Sequence, residues 1–187
     1  MSSKIWFTAD THFGHNFINI CCKRPYRYAD ADNFLIENWN SVVDVGDTVY
    51  HLGDFAFGNH EKVERYRHQL NGKIHLILGN HDYKNKIYNM PETFSEITPL
   101  RELKYNGVRA TLCHYAMRVW NASHFDSWQL YGHSHGGLDP VGKQLDVGVD
   151  KHDYKPISLE EVIAYMETRP HNFNYIPEEA RRGGKKS

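Results

Sequence analysis

Five polar clusters carry the residues best suited to chemistry: Asp10-Thr-His12, Gly53-Asp54, Gly79-Asn-His-Asp82, His114 and Gly132-His-Ser-His135. Taken singly, each has an ordinary explanation: a loop cap, a turn asparagine, a surface histidine. The same residue types recur at the ends of five apolar runs, which argues for one shared site beyond the strand ends. Carboxylates, imidazoles and an amide oxygen are hard-to-borderline ligands, suited to manganese, iron or zinc more than to Cu(I) or a thiolate cluster. A closed structural zinc site would use cysteines, and Cys21, Cys22 and Cys113 lie outside the clusters. Asp-x-His places two ligands on one side of an extended segment, and His133 and His135 repeat that spacing with Ser134 pointing away.

Seven side chains, Asp10, His12, Asp54, Asn80, His114, His133 and His135, are more than one ion takes from protein alone. They suit two ions about 3.5–4 Å apart that share a carboxylate. Such a pair holds phosphate oxygens and makes hydroxide available as a nucleophile at ordinary pH. His81 is left over, with Asp82 beside it to orient the ring. A non-ligand imidazole there can stabilise developing charge or protonate a leaving oxygen, a role worth roughly 10²–10⁴ in rate.

In this order the clusters resemble the signature of the calcineurin-like metallophosphoesterase superfamily, from about Lys4 to Asp150. The resemblance implies an α/β fold, a four-layer α/β/β/α sandwich with mixed sheets, and a dinuclear centre. It implies that Asp10, His12, Asp54 and His135 hold one ion, and that Asp54 as the bridge, Asn80, His114 and His133 hold the other. His81 becomes the proton donor or charge stabiliser. The expected cofactors are two divalent ions, manganese first, with iron, nickel, zinc or magnesium as alternatives. His12-Phe-Gly-His15, Asn38-Trp-Asn40, Tyr50-His-Leu-Gly-Asp54 and Val147-Gly-Val-Asp150 are further similar to small bacterial and phage members of uncharacterised substrate. Those relatives often carry His-Tyr-Pro where this chain has His114-Tyr115-Ala116.

The elements that must position these groups follow from periodicity. Apolar runs over Lys4–Ala9, Thr48–Leu52 and Lys73–Leu78 read as buried strands. Helical spacing covers about Asp30–Val43, Glu61–Leu70 and Ser158–Met166, the last opened by a Ser158/Glu161 capping box. Asn106-Gly107 between Glu102–Tyr105 and Val108–Cys113 is a hairpin signal, and strands are expected near Gln129–Tyr131 and Lys143–Val149. No linker or repeat interrupts the chain, so residues 1–187 read as one domain with a frayed tail after Pro177.

Composition narrows the function. With 22 Lys+Arg against 23 Asp+Glu the formal charge is -1, which gives no basic field for DNA, RNA or a membrane surface. Hydrophobic residues at 40% exclude a disordered chain. The cysteines make a poor disulfide set, and no signal-peptide core or bilayer-length apolar run occurs, so a cytoplasmic protein is expected. The partner is a phosphoester substrate, nucleotide-like or a small diester, since a short chain without a separate cap leaves an open groove for two ester arms. A phosphomonoesterase is the alternative, and an interaction scaffold with a decayed metal site a more distant one. A mononuclear protease is excluded, because His60-Glu61 lacks the second histidine. His15, Lys23, Arg24, Arg27 and Lys84 are candidate contacts to phosphate oxygens, His15 foremost. His51, His60, His68, His75, His124, His152 and His171 read as surface or packing residues. Trp120 to Trp128 reads as a base-stacking platform or as packing.

Overall fold

The computed structural model describes residues 3–25 and 30–183, which leaves Arg27, Lys185 and Lys186 outside the described residues. In chain order the first elements are β1 (Ile5–Thr8), α1 (Ile18–Cys21), α2 (Ala31–Asn40), β2 (Thr48–His51), α3 (His60–Arg67), β3 (Lys73–Ile77) and α4 (Asn80–Lys84). They continue with β4 (Glu96–Thr98), β5 (Arg101–Tyr105), β6 (Val108–Leu112), β7 (Trp128–Tyr131) and β8 (Gln144–Asp146). β9 (Ile157–Ser158), α5 (Leu159–Glu167) and α6 (Glu178–Gly183) complete the chain.

Continuous apolar runs form strands here because both of their faces are covered. In β1, Trp6 packs on one side and Phe7 on the other; Val49 and Tyr50 in β2, and Leu76 and Ile77 in β3, divide in the same way. One face meets α2 and α3 through Leu35, Trp39, Val63 and Tyr66. The other meets a second sheet through Leu103, Ala110, Leu112, Leu130 and Leu145. The first sheet has the order β4-β3-β2-β1-β9, parallel except for β9; the second is β5-β6-β7-β8, with β5 antiparallel to β6. Register aligns the parallel ends: Thr8 pairs with His51, and His51 with Leu76. In the second sheet Leu112 pairs with Leu130, and Leu130 with Leu145.

The fold is therefore mixed α/β with two mixed sheets, as the resemblance implied. Its fourth layer is mostly irregular chain. Buried Gln129 and Gln144, on the outer face of the second sheet, bond the backbone of Met117, and Gln129 also reaches the Tyr115 carbonyl. The Ser158/Glu161 capping box opens α5, which buries Leu159, Val162 and Met166.

Some elements depart from expectation. Short strands β4 and β9 are added, and each is specified by its neighbour more than by its own pattern. Glu178–Gly183, the described part of the stretch expected to fray, form α6, where Arg181 lies over the Phe125 ring and donates to the Ile176 carbonyl. Among the described residues no helix is long and apolar enough to cross a membrane.

Candidate metal centre

The ends of β1, β2, β3, β6 and β7 deliver their polar residues to one place. Donor atoms of Asp10, His12 and His135 lie within 4.8 Å of one another, as do those of Asp54, His114 and His133, and those of His12, Asp54 and His81. Asp54 is the hub: its Oδ2 is 3.6 Å from His12 Nε2, 3.5 Å from His114 Nε2 and 4.0 Å from His81 Nε2.

Each carboxylate spends one oxygen on the backbone and turns the other inward. Asp10 Oδ2 accepts the His133 amide at 2.8 Å, and Asp54 Oδ1 accepts the His81 amide at 2.9 Å. His114 Nδ1 lies 2.7 Å from the Leu52 carbonyl, which can only accept, so Nδ1 carries a proton, and in the neutral ring Nε2 keeps the lone pair. Burial disfavours a charged His135 ring, but the Asp150 carboxylate, 2.7 Å from its Nδ1, helps to outweigh this and raise its pKa to about 10; Nδ1 carries the shared proton. Asp10 Oδ1, His12 Nε2, Asn80 Oδ1 and His114 Nε2 are buried with no hydrogen-bond partner. Orphaned buried polar atoms are costly. Three of the four belong to the groups around Asp54, all four can present lone pairs, and divalent cations fit as the missing partner.

The backbone around these donors is held under strain. Asp10, His12, Asp54, His133 and His135 all take positive φ, from 47° to 68°, a region uncommon for residues other than glycine, though aspartate and histidine enter it more readily than most. Gly79 and Gly132 make room for them. A Cβ on Gly79 would collide with Asp54 Oδ1, and one on Gly132 would stand 2.6 Å from Asp10 Oδ2.

Electrostatics follow from burial. The Asp10 carboxyl is pushed up to about 7 by burial, against the pull of His114 and His135. Burial also acts on Asp54, but His114 and His12 outweigh it and hold that carboxylate well below its usual range. Burial lowers His12 well below the usual imidazole range, which keeps it neutral and available as a ligand.

A family model for the calcineurin-like phosphoesterase superfamily domain matches residues 4–143. The chain belongs to that superfamily. It is 34% identical to an uncharacterised protein of Methanocaldococcus jannaschii over 174 residues, covering 88% of this chain and 92% of that protein. It is 27% identical to the Gene 66 protein of Mycobacterium phage D29 over 188 residues, covering 83% and 92% respectively. Among solved structures it resembles a protein of unknown function from Aquifex aeolicus, with a TM-score of 0.70 and 25% identity over 88% of this chain and all of that one.

Within this phosphoesterase domain six of the seven sequence-selected donors, together with His81, reach the cluster, and the seventh, Asn80, next to His81, has its Oδ1 buried without a partner. His15 joins it, with its ring centroid 5.6 Å from both His12 and His81. Lys84 is exposed on α4, and its charge helps burial to lower His81. Exposed Lys23 takes positive φ after α1.

Three expectations are corrected. Asp82 does not orient His81; its carboxylate accepts the amides of Asp54, Gly79 and Phe55 at 2.7–3.0 Å and pins the loop beneath the cluster. Arg24 does not face substrate. It is buried, grips both Asp150 oxygens at 2.7 and 2.8 Å, and donates to the carbonyls of Asp10 and Thr11. The same-side placement of the Asp-x-His pair comes from left-handed residues, not from an extended segment. His133 and His135, similarly spaced, point into different halves of the cluster.

Sequence reasoning also missed supporting residues. Asp150, at the end of the Val147-Gly-Val-Asp150 segment, links Arg24 to His135. His51, read as packing, is 2.9 Å from the Thr11 hydroxyl, which donates to the Phe55 carbonyl and braces the first ligand loop. Asp146 accepts from the Ser134 hydroxyl and the Gly136 amide, which fixes the turn between His133 and His135.

Proposed function

We propose that the protein is a dinuclear metal-dependent phosphodiesterase acting on a nucleotide-like or small diester, and that residues 1–187 form one cytoplasmic domain. The observation that carries this reading is the set of partnerless buried donors arranged in two groups around Asp54. Asp10, His12, Asp54 and His135 would hold one ion, and Asp54, Asn80, His114 and His133 the other, with manganese the first choice. Divalent ions held there would neutralise phosphate oxygens and lower the pKa of the attacking water.

The chain's own groups do the rest. The carbonyl of Leu52 and the carboxylate of Asp150 anchor Nδ1 of His114 and His135, which leaves Nε2 of each as the nitrogen that would bind an ion. His81, part-exposed beside Asp54 with its Nδ1 unpartnered, is placed to donate a proton to a leaving oxygen or to stabilise charge. His15 and Lys84 stand at the rim for non-bridging oxygens. His133 is exposed, and an open edge gives both ester arms of a diester an exit.

The test is hydrolysis of matched chromogenic phosphodiester and phosphomonoester substrates by metal-stripped protein, with Mn²⁺, Ni²⁺, Zn²⁺ or Mg²⁺ restored. Metal-dependent diester cleavage exceeding monoester cleavage is expected. Stronger monoester cleavage would replace the proposal with a phosphomonoesterase.

A further inference from the structure

Two aromatic rings border the cluster without being covered by the chain. Phe57 is 40% exposed and Tyr115 is 44% exposed. The Phe57 ring stands edge-on to His15 at 4.6 Å between centroids and 5.9 Å from His81. The Tyr115 ring lies 5.0 Å from His114 and 4.9 Å from His133. These contacts fall into two separate sets. His12, His15, His81 and Phe57 form one, and His114, His133 and Tyr115 the other; among the described residues no ring contact joins them. Asp54 lies between, within 3.6 Å of a nitrogen on either side. The two rings therefore border the hub through two separate sets of contacts, Phe57 beside the histidines grouped with His12 and Tyr115 beside His114 and His133.

The Trp120 to Trp128 stretch does not supply this platform. Trp120 turns its indole N–H to the Ser127 carbonyl within its own loop, and Trp128 packs against the inter-sheet core.

We infer that Phe57 and Tyr115 are stacking faces for the two ester arms of the substrate, which is a phosphodiester bearing a planar ring, such as a nucleobase, on each arm. The inference rests on the phosphodiesterase reading. A phosphate centred near Asp54 sends one arm toward each ring, and a flat ring on that arm gains stacking that an alkyl group cannot. Base–aromatic stacking is sequence-tolerant, because every base offers a π-face. A monoester would use only one of the two faces.

The experiment compares wild type, Phe57→Ala, Tyr115→Ala and Tyr115→Phe, all loaded with Mn²⁺. Calorimetric titration with phosphorothioate-linked dithymidine gives affinity without turnover. KM is measured for bis(p-nitrophenyl) phosphate and for methyl p-nitrophenyl phosphate, which has a single ring. Each alanine variant should weaken dithymidine binding and raise the two-ring KM about tenfold, within the range of base–aromatic stacking. Only one of them should raise the one-ring KM comparably, and Tyr115→Phe should behave as wild type. Equal effects of both alanine variants on both esters, or none on either, would overturn the inference. Absence of diester cleavage by wild type would sink the phosphodiesterase reading alone. The dithymidine titration would then decide this one: weakened binding in both alanine variants sustains it, and unaltered or undetectable binding overturns it.

Discussion

The hairpin turn and the loops of the candidate metal centre use the same unusual backbone for different reasons. At Asn106-Gly107, φ values of 46° and 84° let β5 and β6 twist together, and asparagine and glycine tolerate them at little cost. In the metal loops the same region is occupied by Asp10, His12, Asp54, His133 and His135. Aspartate and histidine visit this region more often than most side chains, yet five of them in one cluster exceed what local preference alone asks for. The turn's conformation is a property of its own two residues. The loops' conformation is imposed by the strands that end there and by distant clamps, such as Asp82 on three amides and Arg24–Asp150 on His135. Local strain retained where ligand atoms converge is what a preorganised site requires.

Breaking the hub should have the largest effect. Asp54→Ala removes the carboxylate common to both halves, and metal and hydrolysis should vanish together while the fold, followed by circular dichroism, persists. A variant that kept full hydrolysis would refute the bridging assignment. His81→Ala should keep both ions by elemental analysis and lose roughly 10²–10⁴ of turnover; an emptied site would make His81 a ligand instead. Asp150→Asn weakens the grip on His135 and Arg24, and should cost about 10–100-fold in affinity for one of the two ions, read by competition with a fluorescent chelator. Unaltered affinity would mean that the clamp is only structural. Gly107→Ala should have the smallest effect. A Cβ there meets nothing within 4 Å, so the positive φ alone should cost about 1 kcal/mol in urea unfolding, with metal binding untouched.

The same contrast explains what could be read from the sequence. The hairpin, the capped helix α5 and the three buried strands are written in short windows of residues. The donor set was legible because its residues are polar and stand where apolar runs stop. The clamps were not. Arg24 and Asp150 lie 126 positions apart, and only the completed fold shows that they meet. Asp82 follows His81 in the chain but does not touch its ring; its carboxylate accepts backbone amides instead. Within α4, consecutive side chains diverge by about 100°, so His81 faces the cluster while Asp82 faces the backbone below it. β4 escaped detection because its three residues are all half-buried and show no alternation.

The most direct test of the central claim is a count of Mn²⁺ bound per chain by equilibrium dialysis of metal-stripped protein. The proposed arrangement predicts two ions for wild type and the loss of both in Asp54→Ala. A single ion, or two that survive the removal of Asp54, would contradict a centre built around that carboxylate.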